Sequence, residues 1–287
     1  MFRSMLKTII AHRGASYLAP EETRPAYLLA RELGADYLEL DVQRSKDGVL
    51  IAFHDGDLSR TTNVAQVFPG RANEPIGQFT YSELQSLDAG SWFNSRFPSR
   101  ARASFSNLKI LKLEEVEAIA QAGSRLYLET KSAHLYPGIE KQIVELLKAS
   151  AGWISDQAGA DRLIFQSFEP ESLAKLEVLA PRVPKVLLAD DLMIREWGWL
   201  GLLEKHKELA AGIGPSVDWL AQPWRIFQAH KAGLLVHAWT IDRAWEMRLL
   251  DWCGADGIFT NRCELALKLF GRLENFDLEQ SWNKIQY

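Results

Sequence analysis

The chain alternates short apolar runs with longer segments of helical periodicity, and this alternation limits its possible folds more than any other feature. The runs are rich in Val, Ile, Leu and Tyr, and most are followed by a segment whose apolar residues recur every three or four positions. This order is typical of βα units, in which parallel strands are covered by helices. Because the order repeats along most of the chain, and no Gly-x-Gly-x-x-Gly motif opens the first helix, it favours a closed (β/α)8 TIM barrel over an open dinucleotide-binding sheet.

Nine segments have the composition of strands, although a barrel of this type has eight places. They are residues 8–12, 36–42, 49–54, 125–130, 162–166, 184–189, 217–221, 234–239 and 256–260. The patterns at 184–189 and 217–221 are the weakest, so one of these two is predicted either not to be a strand or to lie outside the barrel. Helices are predicted at residues 24–34, 112–122, 137–149, 169–179, 202–210, 223–232, 242–252 and 262–270.

Two regions depart from the alternation. Residues 56–108 are rich in Gly and Pro and contain one helical stretch, at 81–87, so they are predicted to form an insertion over the barrel mouth. The polar tail at residues 272–287 contains an isolated Trp282 and could either cover the barrel or pack on a partner subunit. The chain is therefore predicted to be one domain over residues 1–287, and a homodimer stays open.

The amino-acid composition limits the kinds of partner that the chain is expected to bind. The chain has 33 basic and 37 acidic residues, and no Lys/Arg-dense segment could follow a phosphate backbone, which argues against a nucleic-acid partner. No apolar run approaches the ~18 residues of a membrane span. The first residues lack the apolar stretch of a signal peptide, so a cytoplasmic location is predicted. Cys253 and Cys263 fit neither a disulfide framework nor a paired metal-ligand spacing.

Carboxylates occur in predicted strands whose other residues are mostly apolar and are expected to be buried. Glu39 and Asp41 lie in the second strand, and because strand side chains alternate, they share one face while the neighbouring leucines share the other. The leucines are expected to face the helices, so the two carboxylates should point into the barrel. The alternative is that both acids are solvated at the rim of the strand.

The fourth predicted strand repeats this arrangement, with Tyr127, Glu129 and Lys131 on one face. Three convergent carboxylates, without cysteine and without a histidine pair at ligand spacing, are typical of a site for a hard divalent cation such as Mg²⁺ or Ca²⁺ rather than Zn²⁺. The predicted ligands are Glu39, Asp41 and Glu129.

Two histidines occur at strand ends beside charged residues. His12 follows the first strand and His54 follows the third, at the end of the strands that forms the catalytic face of a TIM barrel. Imidazole groups can accept and donate protons near neutral pH, so these two residues are predicted to be the acid and the base, in an order that stays open. Arg13 and Lys131 need an anionic partner, which is either a substrate phosphate or a neighbouring carboxylate.

The net charge of the predicted site limits the class of phosphate ester that it can bind. Three carboxylates, one divalent cation and two basic residues leave a net charge of +1 at this site. A phosphodiester monoanion would neutralise that charge, whereas a monoester dianion would exceed it. The count therefore favours phosphodiesters.

Several motifs in one order closely resemble the glycerophosphodiester phosphodiesterase family. They are His12-Arg13-Gly14, Pro20-Glu21-Glu22-Thr23, the segment 34–42 with Glu39 and Asp41, Lys46-Asp47-Gly48, His54-Asp55, Arg60-Thr61-Thr62, the segments 87–93 and 128–131, Ser167-Phe168, Trp239-Thr240 and the segment 257–260. Each motif alone is weak, but together they cover about residues 8–265 and are specific.

The resemblance implies a phosphodiesterase-type TIM barrel with an insertion after the third strand, closing over the substrate. It also implies a divalent metal at Glu39, Asp41 and Glu129, and acid and base histidines at His12 and His54. Phosphate contacts are implied for Arg13 and Lys131. A substrate-facing Trp239 is implied as well, and Phe168 would be its apolar companion; periodicity alone also allows Trp239 to lie on the outer face of its strand.

The expected reaction is hydrolysis of glycerophosphodiesters to sn-glycerol 3-phosphate and an alcohol. One alternative is a lysophospholipid-cleaving enzyme, and a second is a barrel that binds a phosphorylated ligand without turnover. In the first alternative an acyl chain would be received by Trp197, Trp199, Leu200 and Leu202. The chain departs from the family pattern at Glu22, where members usually have Asn, at Asn261, where they have Asp, and at residues 111–113. None of these departures touches a residue assigned to chemistry.

Overall fold

Nine strands form one sheet in the computed structural model, which describes residues 8–150, 152–154, 162–217, 222, 224–274 and 276–287. The strands are β1 (Thr8–Ala11), β2 (Tyr37–Arg44), β3 (Leu50–Ala52), β4 (Arg125–Thr130), β5 (Leu163–Ser167), β6 (Lys185–Ala189), β7 (Gly212–Pro215), β8 (Leu235–Ala238) and β9 (Gly257–Thr260). Because β1 pairs in parallel with both β2 and β9, the sheet closes on itself. The predicted (β/α)8 TIM barrel is confirmed.

The strand outside the barrel is β3, which pairs antiparallel with β2. The prediction that 184–189 or 217–221 would be the extra strand was wrong, since 184–189 contains barrel strand β6. The strand expected at 217–221 begins earlier, at Gly212, and residues 218–221 lie outside the described residues.

Close packing explains why sequence pattern misplaced β7. Its sequence is Gly-Ile-Gly-Pro, which has little strand propensity. A Cβ added at Gly214 would lie 2.8 Å from Leu188 Cδ2, and one added at Gly212 would lie 3.0 Å from the Leu235 carbonyl oxygen. Neighbouring strands therefore require glycine here, which local propensity does not reveal.

Helices cover the outside of the barrel. They are α1 (Arg24–Leu33), α2 (Val64–Val67), α3 (Tyr81–Ser86), α4 (Ser91–Arg96), α5 (Leu113–Gln121), α6 (Ile139–Ala149), α7 (Pro170–Leu179), α8 (Asp191–Trp197), α9 (Trp199–His206), α10 (Trp224–Lys231), α11 (Ala244–Cys253), α12 (Cys263–Leu269) and α13 (Leu278–Ile285). The helix expected at 202–210 corresponds to α9, which begins earlier, and Gly198, with φ 66°, separates it from the unpredicted α8. Within the described ranges, no helix has the length and apolarity to cross a bilayer.

Strand alternation separates two layers of buried side chains. The outward residues of β2, including Leu38 and Leu40, pack with the helices in the main hydrophobic core. Inward residues from β1, β2, β4, β5, β6 and β9 form a smaller apolar layer inside the barrel, composed of Ile10, Tyr37, Tyr127, Ile164, Val186 and Phe259. This layer fills the barrel below the inward carboxylates and gives them a water-poor floor.

The segment at 56–108 is more helical than expected. It contains α2, α3 and α4 where a single helical stretch was predicted, because helices of four to six residues are too short to show periodicity. Its apolar side chains build a separate buried cluster around Phe79, Leu84 and Leu87.

The C-terminal tail packs on its own chain. Trp282 of α13 is buried with its ring centroid 5.5 Å from that of Phe105. Lys284 pairs with Glu32 of α1 at 2.7 Å. The tail therefore packs against α1 and the end of the 56–108 segment.

Candidate active site

Three buried carboxylates converge at the carboxyl ends of β2 and β4. The strand register places Asp41 directly beside Glu129, and Glu39 points to the same side two residues earlier. Each of the three offers an oxygen atom, and these oxygens lie within 4.8 Å of one another. Like charges this close in a buried site repel strongly unless cations or protons compensate them.

The electrostatics of the three carboxylates are unequal. Burial, together with the nearby Asp41, raises the pKa of Glu129 to about 8 and also raises the pKa of Glu39 well above its usual value. Burial opposes ionisation of Asp41 as well, but Lys131 and Arg13 hold the pKa of Asp41 well below its usual range. The basic side chains therefore stabilise the ionised form of Asp41. They do not compensate the negative charges that Glu39 and Glu129 would carry when ionised.

These carboxylates fit a hard divalent cation. Both side-chain oxygens of Asp41 are buried, and neither accepts a well-aligned hydrogen bond, although basic side chains lie 3.2 and 3.3 Å away. Oxygen atoms from Asp and Glu are the ligands that Mg²⁺ and Ca²⁺ prefer. The residues that would hold the cation are Glu39, Asp41 and Glu129.

The two basic residues predicted for phosphate contact lie at this cluster. Lys131 Nζ is 3.2 Å from Asp41 Oδ1 and 3.1 Å from Glu129 Oε1. Arg13 Nε is 3.3 Å from Asp41 Oδ2, and the Arg13 backbone N–H donates to Glu39 Oε2 at 2.8 Å. Both side chains pair with carboxylates in this structure, and both also line the cavity beside them.

His12 is held by a partner at the far end of the chain. Its Nδ1 lies 2.8 Å from Oδ1 of Asn261. The Asn261 amide nitrogen donates to Asp242 at 2.7 Å, which fixes the amide so that its oxygen faces His12. Nδ1 is therefore the protonated nitrogen and Nε2 carries the lone pair. Burial, with the nearby Arg13 cation, lowers the pKa of His12 to about 3, so the imidazole is neutral.

His54 has an anionic partner instead. Its Nδ1 lies 2.6 Å from Asp55 Oδ1. Arg60 holds Asp55 through a bond of 2.5 Å and also contacts Glu21 at 2.7 Å. Glu21 in turn pairs with Arg13 at 2.9 Å. This chain of ion pairs connects the two histidine-bearing loops across the mouth of the barrel.

A fourth carboxyl, Glu22, lies behind the cluster and was not predicted to have a role. Its Oε1 accepts the backbone N–H of Asp41 at 3.0 Å, and its Oε2 accepts the Tyr27 hydroxyl. Burial and the nearby Asp41 raise the pKa of Glu22 well above its usual value. Glu22 thus secures the strand end that carries Asp41.

The cavity in front of the carboxylates has a volume of about 100 Å³. Phe168 and Trp239 form one wall, with their rings edge-to-face at a centroid distance of 5.6 Å. Trp239 Nε1 donates to the Gly214 carbonyl at 2.6 Å, which fixes the indole. The structure therefore places Trp239 on the inner face, while Val236 and Ala238 pack outward.

All nine predicted site residues line this cavity or contact a residue that does. Six further residues at the site have no role predicted from sequence: Glu21, Glu22, Asp55, Arg60, Gln166 and Asn261. Gln166 Nε2 donates to Glu39 Oε1 at 3.0 Å. Most of these residues lie within the motifs quoted above, and that position in the chain was the available signal.

The charge count made from sequence does not hold. It omitted Glu21, Asp55 and Arg60, which belong to the same network. With them and Glu22, six carboxyl groups and three basic side chains lie at the site, so its net charge depends on how many carboxyls are ionised. Charge therefore does not distinguish a diester from a monoester here.

The residues expected to receive an acyl chain lie elsewhere. Trp199 and Leu202 are buried in the main hydrophobic core, and Trp197 packs at its edge. Leu200 is exposed on α9. None of the four lines the cavity.

Comparison with known proteins gives one consistent result. A model of the glycerophosphoryl diester phosphodiesterase family matches residues 12–265. A glycerophosphodiester phosphodiesterase of Bacillus subtilis is 37% identical over 91% of this chain and 85% of its own length. One of Caldanaerobacter subterraneus is 33% identical over 92% of this chain and 98% of its own length. The solved structure of an Oleispira antarctica phosphodiesterase with the product sn-glycerol-3-phosphate has a TM-score of 0.75 at 27% identity, covering 93% of this chain and 97% of that one.

Proposed function

Because the chain belongs to the glycerophosphoryl diester phosphodiesterase family and is a glycerophosphodiester phosphodiesterase, we propose that it cleaves glycerophosphodiesters to sn-glycerol 3-phosphate and an alcohol by metal-dependent histidine acid–base catalysis. One observation carries the proposal of mechanism: three convergent buried carboxylates lie in a cavity that two differently partnered histidines also line. The alternative of a barrel without turnover is set aside by the family comparison.

The substrate phosphate is held by charge. Glu39, Asp41 and Glu129 would hold Mg²⁺ or Ca²⁺, which when bound polarises a phosphoryl oxygen and stabilises charge in the transition state. Arg13 and Lys131 direct positive charge at the same place and would orient the phosphate. Phe168 and Trp239 would contact the glycerol carbons.

His12 is the proposed base. It is neutral, its Nδ1–H is anchored on Asn261, and its Nε2 can accept a proton from the attacking hydroxyl, whether that belongs to the glycerol or to water. Burial, together with the neighbouring Arg13 guanidinium, lowers the pKa of His12 and keeps the resting imidazole unprotonated.

His54 is the proposed acid. The Asp55 carboxylate beside its Nδ1 provides a counter-ion for the imidazolium form. As the bond between phosphorus and the departing alcohol oxygen breaks, His54 donates its proton to that oxygen. The different partners of the two histidines thus support an order of proton transfer that sequence left open.

The residues predicted to receive the acyl chain of a lysophospholipid do not line the catalytic cavity. These four residues lie in the core or on the outside of α9. Glycerophosphodiesters without acyl chains are therefore the proposed substrates. The cytoplasmic location, the homodimer and the closing of the 56–108 insertion over the substrate stay predictions.

Trp239→Ala is expected to raise KM for a glycerophosphodiester several-fold. The substitution removes the indole wall of the cavity, while the hydrogen bond to Gly214 shows that the ring is fixed before substrate binds. Steady-state kinetics with a glycerol-bearing diester and with a generic aryl phosphodiester, together with a thermal melt, provide the test. A large fall in Tm with an unchanged KM in the folded fraction would make Trp239 a packing residue only.

The proposed reaction is tested by a direct assay. The purified chain is treated with a chelator and assayed on glycerophosphocholine, glycerophosphoethanolamine and lysophosphatidylcholine, with glycerol 3-phosphate or choline as the measured product. We expect hydrolysis of the first two, loss of activity on chelation, and recovery with Mg²⁺ or Ca²⁺. Hydrolysis of lysophosphatidylcholine alone, or full activity after chelation, would contradict the proposal.

A further inference from the structure

A second, larger cavity opens beside the catalytic one. It has a volume of about 770 Å³ and shares His12 and Arg13 with the first cavity. Its outer wall comes from α4 of the insertion. Its lining includes Tyr17, Arg60, Trp92, Arg96 and Phe97. Because the glycerol and phosphate are assigned to the first cavity, the departing alcohol would extend into this second one.

Arginines stack on two aromatic rings of this cavity, those of Tyr17 and Phe97. The guanidinium of Arg100 lies 3.9 Å from the centre of the Tyr17 ring and 4.1 Å from that of Phe97. Arg262 lies 4.3 Å from the centre of Tyr17. The Trp92 ring has Arg60 at 6.0 Å. A quaternary ammonium group needs open aromatic faces, and here it would meet guanidinium groups instead.

Two of the arginines at this cavity have no acidic partner within the part of the chain that the structure describes. Arg60 is compensated by Glu21 and Asp55, and Arg262 by Glu264. Among the described residues, no carboxylate lies within ion-pair distance of Arg96 or Arg100. Arg96 is exposed on the wall of the cavity, and Arg100 hydrogen-bonds only to the Tyr17 carbonyl oxygen. The cavity therefore carries an excess of positive charge.

We propose that this second cavity binds the alcohol part of the substrate and favours an alcohol that carries its own negative charge, such as a phosphate group. The inference rests on the proposed function, because it assigns the alcohol side of the same site. Arg96 is the specificity residue, since its guanidinium is free to meet the anion directly. A cationic alcohol such as choline is disfavoured by the same charges.

The test compares diesters that differ in the charge of the alcohol. The probes are glycerophosphoinositol 4-phosphate, glycerophosphoinositol and glycerophosphocholine, assayed with the full chain. We expect kcat/KM to be highest for the phosphorylated substrate and lowest for the choline diester. Arg96→Gln should lower the ratio of phosphorylated to unphosphorylated inositol substrate about three- to fivefold, the scale of an exposed ion pair. Added salt should reduce the same ratio in the unmodified protein.

Arg248→Gln is the matched control, because Arg248 is an exposed arginine of α11 that does not line either cavity. It should leave the ratio unchanged. An equal fall for all three substrates in Arg96→Gln, or a preference for glycerophosphocholine, would overturn the inference while leaving the proposed function intact. If no diester is cleaved, the proposed function fails; the inference fails with it if calorimetry shows inositol 4-phosphate binding no more tightly than inositol.

Discussion

His12→Ala and His54→Ala should each lower kcat on a glycerophosphodiester by at least ~10²-fold, the usual scale of general acid–base catalysis. Both imidazoles line the cavity that holds the carboxylates, and each is anchored through Nδ1 by a separate partner. Both side chains are partly exposed, so the fold should survive their truncation. Steady-state kinetics with circular dichroism as a fold check provide the measurement.

A substrate whose leaving group needs no proton distinguishes the acid, His54, from the base, His12. A p-nitrophenyl ester of glycerol 3-phosphate releases a phenolate that needs no proton, so His54→Ala should recover much of its loss on this substrate, whereas His12→Ala should not. His230→Ala is the matched control, because His230 is exposed and pairs with Asp256 away from the cavity. Near-normal turnover in either site variant would refute the catalytic assignment, and rescue of His12→Ala instead would reverse the roles.

The second large effect is expected at the proposed metal ligands. Glu39→Gln, Asp41→Asn and Glu129→Gln each replace one negative oxygen ligand by a neutral amide of the same shape. Divalent cation affinity should fall at least about tenfold in each variant, since loss of an outer partner alone often costs ten- to a hundredfold. Calorimetric titration with Mg²⁺ and Ca²⁺ measures this directly and needs no turnover.

Cation binding should also depend on pH. Burial and Asp41 raise the pKa of Glu129 to about 8 in the metal-free protein, and a cation requires the ionised carboxylate. Affinity should therefore increase as the pH rises toward 8, with release of protons, and Glu129→Gln should flatten this dependence. The raised pKa also means that the metal-free protein loses stability as the pH rises from about 4.5 through about 8.

Asp36→Asn provides the control for these variants. Asp36 accepts the Ile9 backbone N–H at 2.8 Å and pairs with Arg272 at 2.6 Å, just before β2 and away from the cluster. Its replacement should reduce the free energy of unfolding without changing cation affinity. Unchanged affinity in all three ligand variants would require the metal site to be placed elsewhere.

Much of the barrel and of the site was predictable because the patterns involved are local. The alternation in β2 and β4 placed Glu39, Asp41 and Glu129 on inner faces, since the period of a strand is set by its backbone. The order of strands and helices was predictable for the same reason. The β7 segment was misplaced because its glycines are required by backbone and side-chain atoms of neighbouring strands.

The sequence by itself determined which residue types stand at the ends of the strands, and therefore the chemistry that the barrel mouth can perform. Only the tertiary structure decided which partner each of the two histidines has. Asn261 is 249 positions from His12 and holds its Nδ1, while burial and Arg13 lower the pKa of His12. Asp55 instead supplies a negative partner to His54. The ion pairs from Arg13 to Asp55, and the arginines that stack on the Tyr17 ring of the second cavity, likewise join residues from separate loops. The interaction energy of two charged groups depends on their separation in space, and folding of the chain sets that separation.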